Sequence, residues 1–236
     1  MYAETVEGTP QGAGISPLLA NIFLHYALDL WVGQWTRRAA SGRLRLVRYA
    51  DDFLLTFEQR ADADEMAKAL AERLAKFGLR LHEDKTRLIE FGRFATANRR
   101  RRGEGRPETF DFLGFTHYCG KTLDGRFMVH RKTQRGRMIR KLKELRHELK
   151  RRMHTRLREQ HGWLARVLRG HYAYFGVTGN SYGLRRFRNQ AVKAWHGILR
   201  RRSQKRRMSW DRFNAILRAN PLPPPRIVHS WRGRTT

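Results

Sequence analysis

The sequence has little of what a secreted or membrane-spanning protein needs. It contains a single cysteine, Cys119, which excludes an internal disulfide and is typical of a reducing compartment, so we expect a cytoplasmic protein. No apolar run approaches the roughly 20 residues that span a bilayer, and no membrane partner is expected. Residues 1–11 have no signal pattern, which would be a charged stretch followed by an apolar one. These absences favour a globular protein that works inside the cell.

Acidic residues are scarce in the second part of the chain. Residues 1–98 hold 13 acidic and 13 basic side chains, whereas residues 99–236 hold 8 acidic and 37 basic ones, so the net charge of +29 arises entirely after residue 98. A solubilising surface usually mixes both signs, whereas clustered positive charge attracts polyanions. Arginine predominates here, and its planar fork suits bidentate contacts with phosphates. Nucleic acid is therefore the expected partner of this part.

The first part alternates helical and strand-like patterns, which predicts an α+β fold. Ser16-Pro17 is a typical helix start, a hydroxyl N-cap followed by proline, and Gly42 is a typical stop. The apolar residues of this helix recur at helical spacing and predict one apolar face: Leu19, Ile22, Phe23, Tyr26, Ala27, Leu30 and Trp31. A second helix is predicted from a capping box at Asp62 and Glu65 to a stop at Gly78.

Short strands are predicted around these helices. The runs Leu44–Tyr49 and Phe53–Phe57 flank Ala50-Asp51-Asp52, which predicts a β-hairpin with acids at its tip. Further strands are predicted at residues 79–82, 88–91, 110–118 and 127–130, the last two joined by a turn at Asp124-Gly125. The Arg- and Gly-rich stretch at residues 98–107 has no periodicity and predicts a mobile loop.

From Gln134 onward the pattern predicts helices alone. One apolar stripe is spaced by three or four residues throughout: Met138, Leu142, Leu145, Leu149, Met153 and Leu157. Further helices are predicted at residues 163–175, 182–199 and 210–217, before a proline cluster at residues 221–225. Aromatic residues interleaved with the arginines are expected to lie mostly in the bundle core, with base stacking as the alternative: Tyr172, Tyr174, Phe175, Tyr182, Trp195 and Trp210.

The adjacent acids Asp51 and Asp52 have two interpretations. Aspartate tolerates turn geometry, so two of them between strands are most often a solvated hairpin turn. A catalytic function requires a reason to place like charges together, and Mg²⁺ supplies one because it prefers oxygen ligands. In phosphoryl transfer to a 3′-hydroxyl, two such ions bind the attacking and leaving oxygens. The neighbouring motifs favour this second interpretation.

Several short motifs surround the acidic pair in a fixed order. They are residues 8–12 (GTPQG), 15–21 (ISPLLAN), 49–52 (YADD), 78–81 (GLRL), Lys85-Thr86 and 112–115 (FLGF). Each is weak alone, but their order within about a hundred residues is specific. Together they resemble the palm of a reverse transcriptase of the group II intron-encoded kind. The resemblance is close over residues 5–118 and looser to about Arg226, where residues 170–176 (GHYAYFG) and the proline cluster resemble the thumb, or maturase, region.

The resemblance implies a partial polymerase palm at residues 1–118, a hairpin connector at 119–133, a basic helical thumb at 134–226 and a tail at 227–236. Asp51 and Asp52 would bind the catalytic Mg²⁺. The expected contacts with primer, template and nucleotide are Gln11, Gly12, Tyr49, Lys85, Leu113 and Gly114. The expected RNA-binding residues are Arg140, Lys143, Lys150, Arg151, Arg185 and Arg186. The expected partners are an RNA template or intron RNA and a DNA primer.

One departure from the family pattern divides the functional hypotheses. The resemblance implies a third carboxylate in a strand before the Gln-Gly motif, but within these residues only Glu4 and Glu7 precede it, and neither lies in a strand-like context. One hypothesis is therefore a truncated or split RNA-directed DNA polymerase, inactive alone, which would need a separate N-terminal fingers fragment. The other is a non-catalytic, maturase-like module that binds intron RNA. Retron, diversity-generating and CRISPR-associated relatives share the palm motifs, and only the thumb argues against them.

Overall fold

The computed structural model describes residues 14–202 and 208–230, and it divides the chain into two compact units, Met1–Ile89 and Glu90–Thr236. Both units combine helices with a small antiparallel sheet, so the α+β fold class is confirmed. The predicted boundaries after residues 118, 133 and 226 stay predictions beside this division. Gln11 and Gly12 lie outside the described residues.

The first unit begins with a long helical segment that contains one π turn. Helix α1 (Ser16–Leu24) continues through the π turn His25–Asp29 into helix α2 (Leu30–Arg38). Ile15, not Ser16, is the N-cap, so the predicted hydroxyl cap is wrong. Most members of the predicted apolar face are exposed: Leu19, Ile22, Phe23, Tyr26 and Leu30. Ala27 of that face is buried, together with Leu28 and Val32, which lie outside it.

The predicted hairpin of the first unit is confirmed. Strand β1 (Leu44–Tyr49) pairs with β2 (Asp52–Phe57) in antiparallel register, with Leu44 opposite Phe57 and Tyr49 opposite Asp52. Helix α3 (Arg60–Ala75) follows, and Gly78, with a φ of +69°, lies in the turn that ends it, close to the predicted stop. One face of the hairpin packs with α3 and α2 around a small buried core: Leu28, Val32, Met66, Leu70 and Leu74.

Two local predictions in this unit are wrong. Asp62 does not cap α3, because its carboxylate accepts hydrogen bonds from the backbone N–H groups of Ser41 and Gly42 and from the Ser41 hydroxyl at 2.7 to 3.1 Å. These bonds hold the pKa of Asp62 below its ordinary value, chiefly through the Ser41 hydroxyl. Residues 79–82 and 88–91 form no strand, although Leu79 and Leu81 pack against the core. Their apolar pattern is satisfied without strand pairing.

The second unit opens with helix α4 (Ala95–Arg101), so the loop predicted from residue 98 is wrong over its first part. Ion pairs compensate the charge of two arginines at this helix, Arg99 and Arg102. Arg102 pairs with Glu90 and Glu104, and Arg99 lies 3.3 Å from a Glu104 carboxylate oxygen. The carboxylates reduce the repulsion between neighbouring arginines, an effect that composition alone does not reveal.

A three-stranded sheet follows, in the order β3 (Phe110–Phe112), β4 (Phe115–Lys121) and β5 (Phe127–Thr133). The strand predicted at 110–118 is therefore two strands, separated by a two-residue turn at Leu113-Gly114. Both turn residues have positive φ, +49° and +77°, which matches the twist of a tight hairpin. The predicted turn at Asp124-Gly125 is confirmed between β4 and β5.

Four helices complete the second unit: α5 (Arg135–Arg151), α6 (Leu157–Phe175), α7 (Ser181–Arg201) and α8 (Trp210–Ala219). The predicted stripe is buried from Met138 to Leu149, but a turn ends α5 before Met153. The core residues of the bundle include Leu164, Leu168, Phe187, Trp195 and Phe213, each with no exposed surface. Tyr172 and Trp195 are core residues, as expected for most of the aromatics, whereas Tyr174, Tyr182 and Trp210 are about half exposed or more.

Hydrogen bonds hold the segment after α8 against the helical bundle. Arg188 and the Tyr172 hydroxyl both donate to the Pro223 carbonyl at 3.2 Å. The N–H groups of Val228 and His229 both donate to the Gly176 carbonyl. A Cβ at Gly176 would lie 2.2 Å from the Tyr172 carbonyl, so this close approach requires glycine. Among the described residues, no helix combines the length and the apolar character that crossing a membrane would require.

Candidate active site and nucleic-acid interface

The tip of the β1–β2 hairpin carries the predicted acidic pair. Tyr49 and Asp52 are the last paired residues, so Ala50 and Asp51 alone form the turn. Ala50 has a φ of +53°, a left-handed conformation that costs a non-glycine residue about 1 kcal/mol or more. Because side chains alternate along a strand, Tyr49 and Asp52 share the face opposite the core. The turn thus displays two adjacent, exposed carboxylates with an exposed tyrosine beside them.

An arginine fork supports this tip from the other face of β1. The Arg48 Nε and Nη2 atoms each donate to one carboxylate oxygen of Asp29 at 2.7 Å. Its Nη1 atom donates to the side-chain oxygen of Asn21 at 2.8 Å and to the Ala50 carbonyl at 3.0 Å. One guanidinium therefore joins α1, the π turn and the hairpin turn. The bidentate geometry fixes the orientation of Arg48 more firmly than a single hydrogen bond would.

The electrostatics of the fork keep both partners charged. The Arg48 side chain is 14% exposed and that of Asp29 is 27% exposed, so solvent screens the pair only in part. Hydrogen bonding to Arg48 holds the pKa of the Asp29 carboxyl below its ordinary value, and burial opposes this shift. Asp29 thereby balances the positive charge of Arg48, which donates a hydrogen bond to the Ala50 carbonyl of the turn. Asp51 and Asp52 form no ion pair among the described residues.

The chemistry of the tip fits a hard divalent cation in part. Mg²⁺ is commonly held by one or two carboxylates and completes its shell with water and substrate phosphates. Asp51 and Asp52 are suitable ligands for that mode, since both are exposed and neither forms an ion pair with another described residue. In the part of the chain that the structure describes, no group of three or more His, Cys, Asp or Glu side chains is arranged to hold a metal ion. These residues therefore offer two protein ligands rather than a closed metal cage.

The other predicted contact residues lie in other elements of the chain. Lys85 is exposed in a single 3₁₀ turn, Glu83–Lys85, of the first unit. Leu113 and Gly114 form the β3–β4 turn of the second unit. The structure thus brings together Tyr49, Asp51 and Asp52.

The Leu113-Gly114 turn is held by residues of α6. The Tyr174 hydroxyl donates to the Leu113 carbonyl at 2.9 Å. A Cβ at Gly114 would contact the Phe175 ring at 3.6 Å, and Gln134 donates its N–H to the Gly114 carbonyl at 3.0 Å. The turn is therefore rigid and close to aromatic rings. Local sequence could not predict these partners, because Tyr174 lies 61 residues from Leu113.

The six predicted RNA-binding residues differ in how far acids neutralise them. Arg151 lies 2.8 Å from a Glu148 oxygen, so part of its charge is compensated. The remaining five make no ion pair among the described residues: Arg140, Lys143, Lys150, Arg185 and Arg186. Helix α7 contains no acidic residue at all. The uncompensated positive charge is therefore more continuous on α7 than on α5.

Sequence reasoning missed the residues that position the site. The sequence patterns assigned no role to Arg48 or Asp29. The available signal was the alternation of β1, which places Arg48 on the same face as Leu44 and Leu46. A charge on a core-facing position usually has a buried partner. Asp29 is that partner.

Comparison with known proteins agrees with the motifs of the first part. Residues 2–117, just under half of the chain, match the family model described as "Reverse transcriptase (RNA-dependent DNA polymerase)". This stretch contains the β1–β2 hairpin and the Leu113-Gly114 turn. A search of curated proteins found no relative that matches the chain. Residues 2–117 are thus similar to the reverse transcriptase domain, and the match supports assignment of this part of the chain to the reverse transcriptase, or RNA-directed DNA polymerase, family.

Proposed function

We propose that this chain serves RNA-templated DNA synthesis as part of a reverse transcriptase of the group II intron type. In this proposal Asp51 and Asp52 bind Mg²⁺, and the basic helices of the second unit form a thumb that binds RNA. The proposal rests above all on the hairpin tip, where two adjacent carboxylates that form no ion pair among the described residues lie at a tight turn inside the segment that matches the family.

In this proposal the residues of the chain contribute to catalysis by orienting the metal ligands, the primer terminus and the nucleotide. The 3′-hydroxyl of a DNA primer attacks the α-phosphorus of the incoming nucleotide, and pyrophosphate leaves with the electrons of the broken bond. Bound magnesium would supply positive charge at the attacking and leaving oxygens. Arg48 would keep the carboxylates of the tip in place, since it holds the Ala50 carbonyl. Tyr49 would support the primer terminus beside Asp52, and Lys85 would contact the triphosphate.

The two predicted turns would contact the nucleic-acid strands directly. The backbone of Leu113 and Gly114 would approach the primer, because glycine leaves room for a close contact. Gln11 and Gly12 would contact the templating base pair. A polypeptide that carries the third carboxylate would complete the metal site. The exposed apolar face of α1, which includes Ile15, Leu18 and Ile22, supports docking of such a fingers fragment.

Primer extension tests the catalytic part of this proposal. The full chain is incubated with an RNA template, a DNA primer, deoxynucleotides and Mg²⁺, with and without a separately expressed fingers fragment. We expect little extension by the chain alone and restored synthesis with the fragment. Asp51→Asn should then lower the rate by about a hundredfold or more, because the tip loses one anionic ligand.

The matched control is Asp64→Asn, which removes an exposed aspartate of α3 in the same unit. We expect it to retain nearly full extension. Efficient synthesis by the chain alone would refute the view that it is inactive by itself. Equal activity of Asp51→Asn and Asp64→Asn would refute the assignment of the tip as the metal site.

A second function is favoured by the charge distribution. The basic excess lies wholly after residue 98 and does not involve the acidic tip, so a non-catalytic, maturase-like RNA binder is the alternative. RNA binding by the full chain should then persist in Asp51→Asn and weaken steeply with salt. Assistance of intron RNA folding without any extension, even with the fragment present, would favour this alternative.

A further inference from the structure

The outer face of α7 combines basic side chains with an aromatic ring and amide side chains, which phosphate binding does not require. Six residues line an open cavity of about 380 Å³ on this helix: Tyr182, Arg185, Arg186, Asn189, Gln190 and Lys193. Tyr182 is 71% exposed, the largest exposed fraction among the described tyrosines. Its hydroxyl makes no hydrogen bond among the described residues. A large exposed ring beside neutral amides indicates more than a solvated basic surface.

The spacing of these residues makes one continuous stripe. Tyr182, Arg186, Asn189 and Lys193 follow each other at intervals of four, three and four residues, which places them on one side of the helix. At 1.5 Å per residue, the stripe is about 16 Å long. A site of this length accommodates a short stretch of a strand rather than a single phosphate. Helix α7 carries no acid, and Arg185, Arg186 and Lys193 form no ion pair within the part of the chain that the structure describes.

Two amide side chains that line the cavity, those of Asn189 and Gln190, are available to hydrogen-bond with the edge of a base. Arg146 of α5 donates to the side-chain oxygen of Gln190 at 3.4 Å, which leaves the Gln190 NH₂ group to donate outward. The Asn189 side chain is exposed and has no hydrogen-bond partner among the described residues. Asparagine and glutamine amides pair with the edges of exposed bases, and aromatic rings stack on their faces. Neither interaction is open to the paired bases inside a duplex of A-form RNA.

We infer that the outer face of α7 is a binding site for unpaired nucleotides of RNA, with Tyr182 stacking on a base, Asn189 and Gln190 contacting its edge, and Arg185, Arg186 and Lys193 binding the flanking phosphates. This inference rests on the proposed RNA binding of the second unit and adds to it the class of RNA that is bound. The site selects single-stranded segments, such as loops and ends, over continuous duplex.

Fluorescence anisotropy with the full chain tests the site in the absence of nucleotides and magnesium. The probes are a labelled 12-nucleotide oligoadenosine, the same length of strand with abasic positions, and a 12-base-pair RNA duplex. We expect the oligoadenosine to bind about tenfold or more tightly than the abasic strand. Tyr182→Ala should remove most of this difference and change duplex affinity less than about twofold, whereas Tyr182→Phe should retain it.

Two controls separate stacking from charge and from a protein partner. Tyr26→Ala removes a tyrosine of the first unit that is 63% exposed, and it should leave all affinities unchanged. Arg186→Gln should weaken all three probes and reduce the salt slope by about one. Equal affinity for abasic and adenosine strands, or no effect of Tyr182→Ala, would overturn the site. Displacement of the RNA by a polyglutamate peptide with equal affinity would also overturn it, in favour of an acidic protein partner.

The binding measurements distinguish failure of the α7 site from failure of the proposed function. If the wild-type chain bound none of the RNA probes, the RNA-binding part of the proposed function would fail together with this site. If the chain bound RNA but its affinity depended neither on Tyr182 nor on the presence of bases, only the α7 site would be refuted. The extension assay with Asp51→Asn is independent of both results.

Discussion

The two compact units distribute their apolar residues in opposite ways. The first unit has a buried core of five residues and leaves seven large apolar side chains exposed along its first helical segment: Ile15, Leu18, Leu19, Ile22, Phe23, Tyr26 and Leu30. The second unit buries sixteen residues in one core, and its exposed surface is mainly basic. The comparison indicates that the second unit is stabilised largely by its own core. The first unit carries the candidate metal ligands on a scaffold with much less buried apolar surface.

The largest effect that distinguishes the units is expected from Trp195→Ala. Trp195 is fully buried, packs edge-to-face on Phe213 and donates its indole N–H to Gln160 at 2.9 Å. Removing it leaves a cavity and an unpaired buried amide oxygen, so the second unit should lose about 3–5 kcal/mol of stability. Urea unfolding followed by hydrogen exchange measures the loss helix by helix.

Protection in α3 of the first unit should stay unchanged in this variant if the units are independent. Leu70→Ala is the reciprocal variant, since Leu70 is buried in the smaller core. It should reduce protection in α3 and leave α5–α7 unaffected. An equal loss in both units from either substitution would show that they unfold together, and the comparison would fail.

As the pH falls, the free energy of unfolding of the second unit is expected to decrease at a higher pH than that of the first unit. His171 is 6% exposed, its ring stacks on Phe187 at 3.7 Å, and its Nε2 atom has no hydrogen-bond partner. Burial, and secondarily Lys141, lowers the pKa of His171 to about 4. The unfolded chain therefore binds the proton more readily, and the free energy of unfolding should be constant above about pH 6.5 and fall towards pH 4. The total loss is on the order of 3 kcal/mol.

Urea unfolding between pH 7 and pH 4.5 measures this dependence. His171→Leu should remove most of the slope in the second unit, because no group at the site then gains a proton. In the first unit Asp29 and Asp62 have lowered pKa values and should contribute only below about pH 4. A first unit that loses stability at pH 6 before the second would contradict this order.

A smaller effect on stability, but a specific effect on the candidate site, is expected from Arg48→Lys. Lysine keeps the charge but cannot make the fork with Asp29 and also hold the Ala50 carbonyl. We expect a loss of about 1–2 kcal/mol and slower primer extension, with the RNA affinity of the second unit unchanged. Arg45→Lys is the matched control, because Arg45 lies on the opposite face of β1. Equal extension by the two variants would remove Arg48 from the positioning of the tip.

The sequence predicted those parts of the structure that depend on local patterns. The β1–β2 hairpin, the Gly78 helix end and the stripe from Met138 to Leu149 follow from alternation, a positive φ and helical spacing. The acidic pair could be placed at a hairpin tip for the same reason. The residue roles at the tip stay predictions, as do those of Gln11, Gly12, Lys85 and the Leu113-Gly114 turn.

The errors arose where distant contacts decide the local structure. Residues 79–82 have a strand-like pattern, but a strand requires a pairing partner that no local window contains. Asp62 has the spacing of a capping box, yet Ser41 and Gly42 offer it three donors. The helical spacing predicted for the first helix assumed 3.6 residues per turn throughout. Five of its residues, His25–Asp29, adopt a wider turn.

Because of this π turn, the side chains of α1 are rotated about the helix axis relative to those of α2. A π turn accommodates about one more residue than an α turn, so everything before it is offset by roughly 100° from an uninterrupted helix. Loss of a single residue between His25 and Asp29 would let ordinary α-helical bonding resume, but it would swing the side chains of α1 around the axis and away from Arg48. Single-residue deletions in this short stretch should therefore be far less tolerated than substitutions at the same positions.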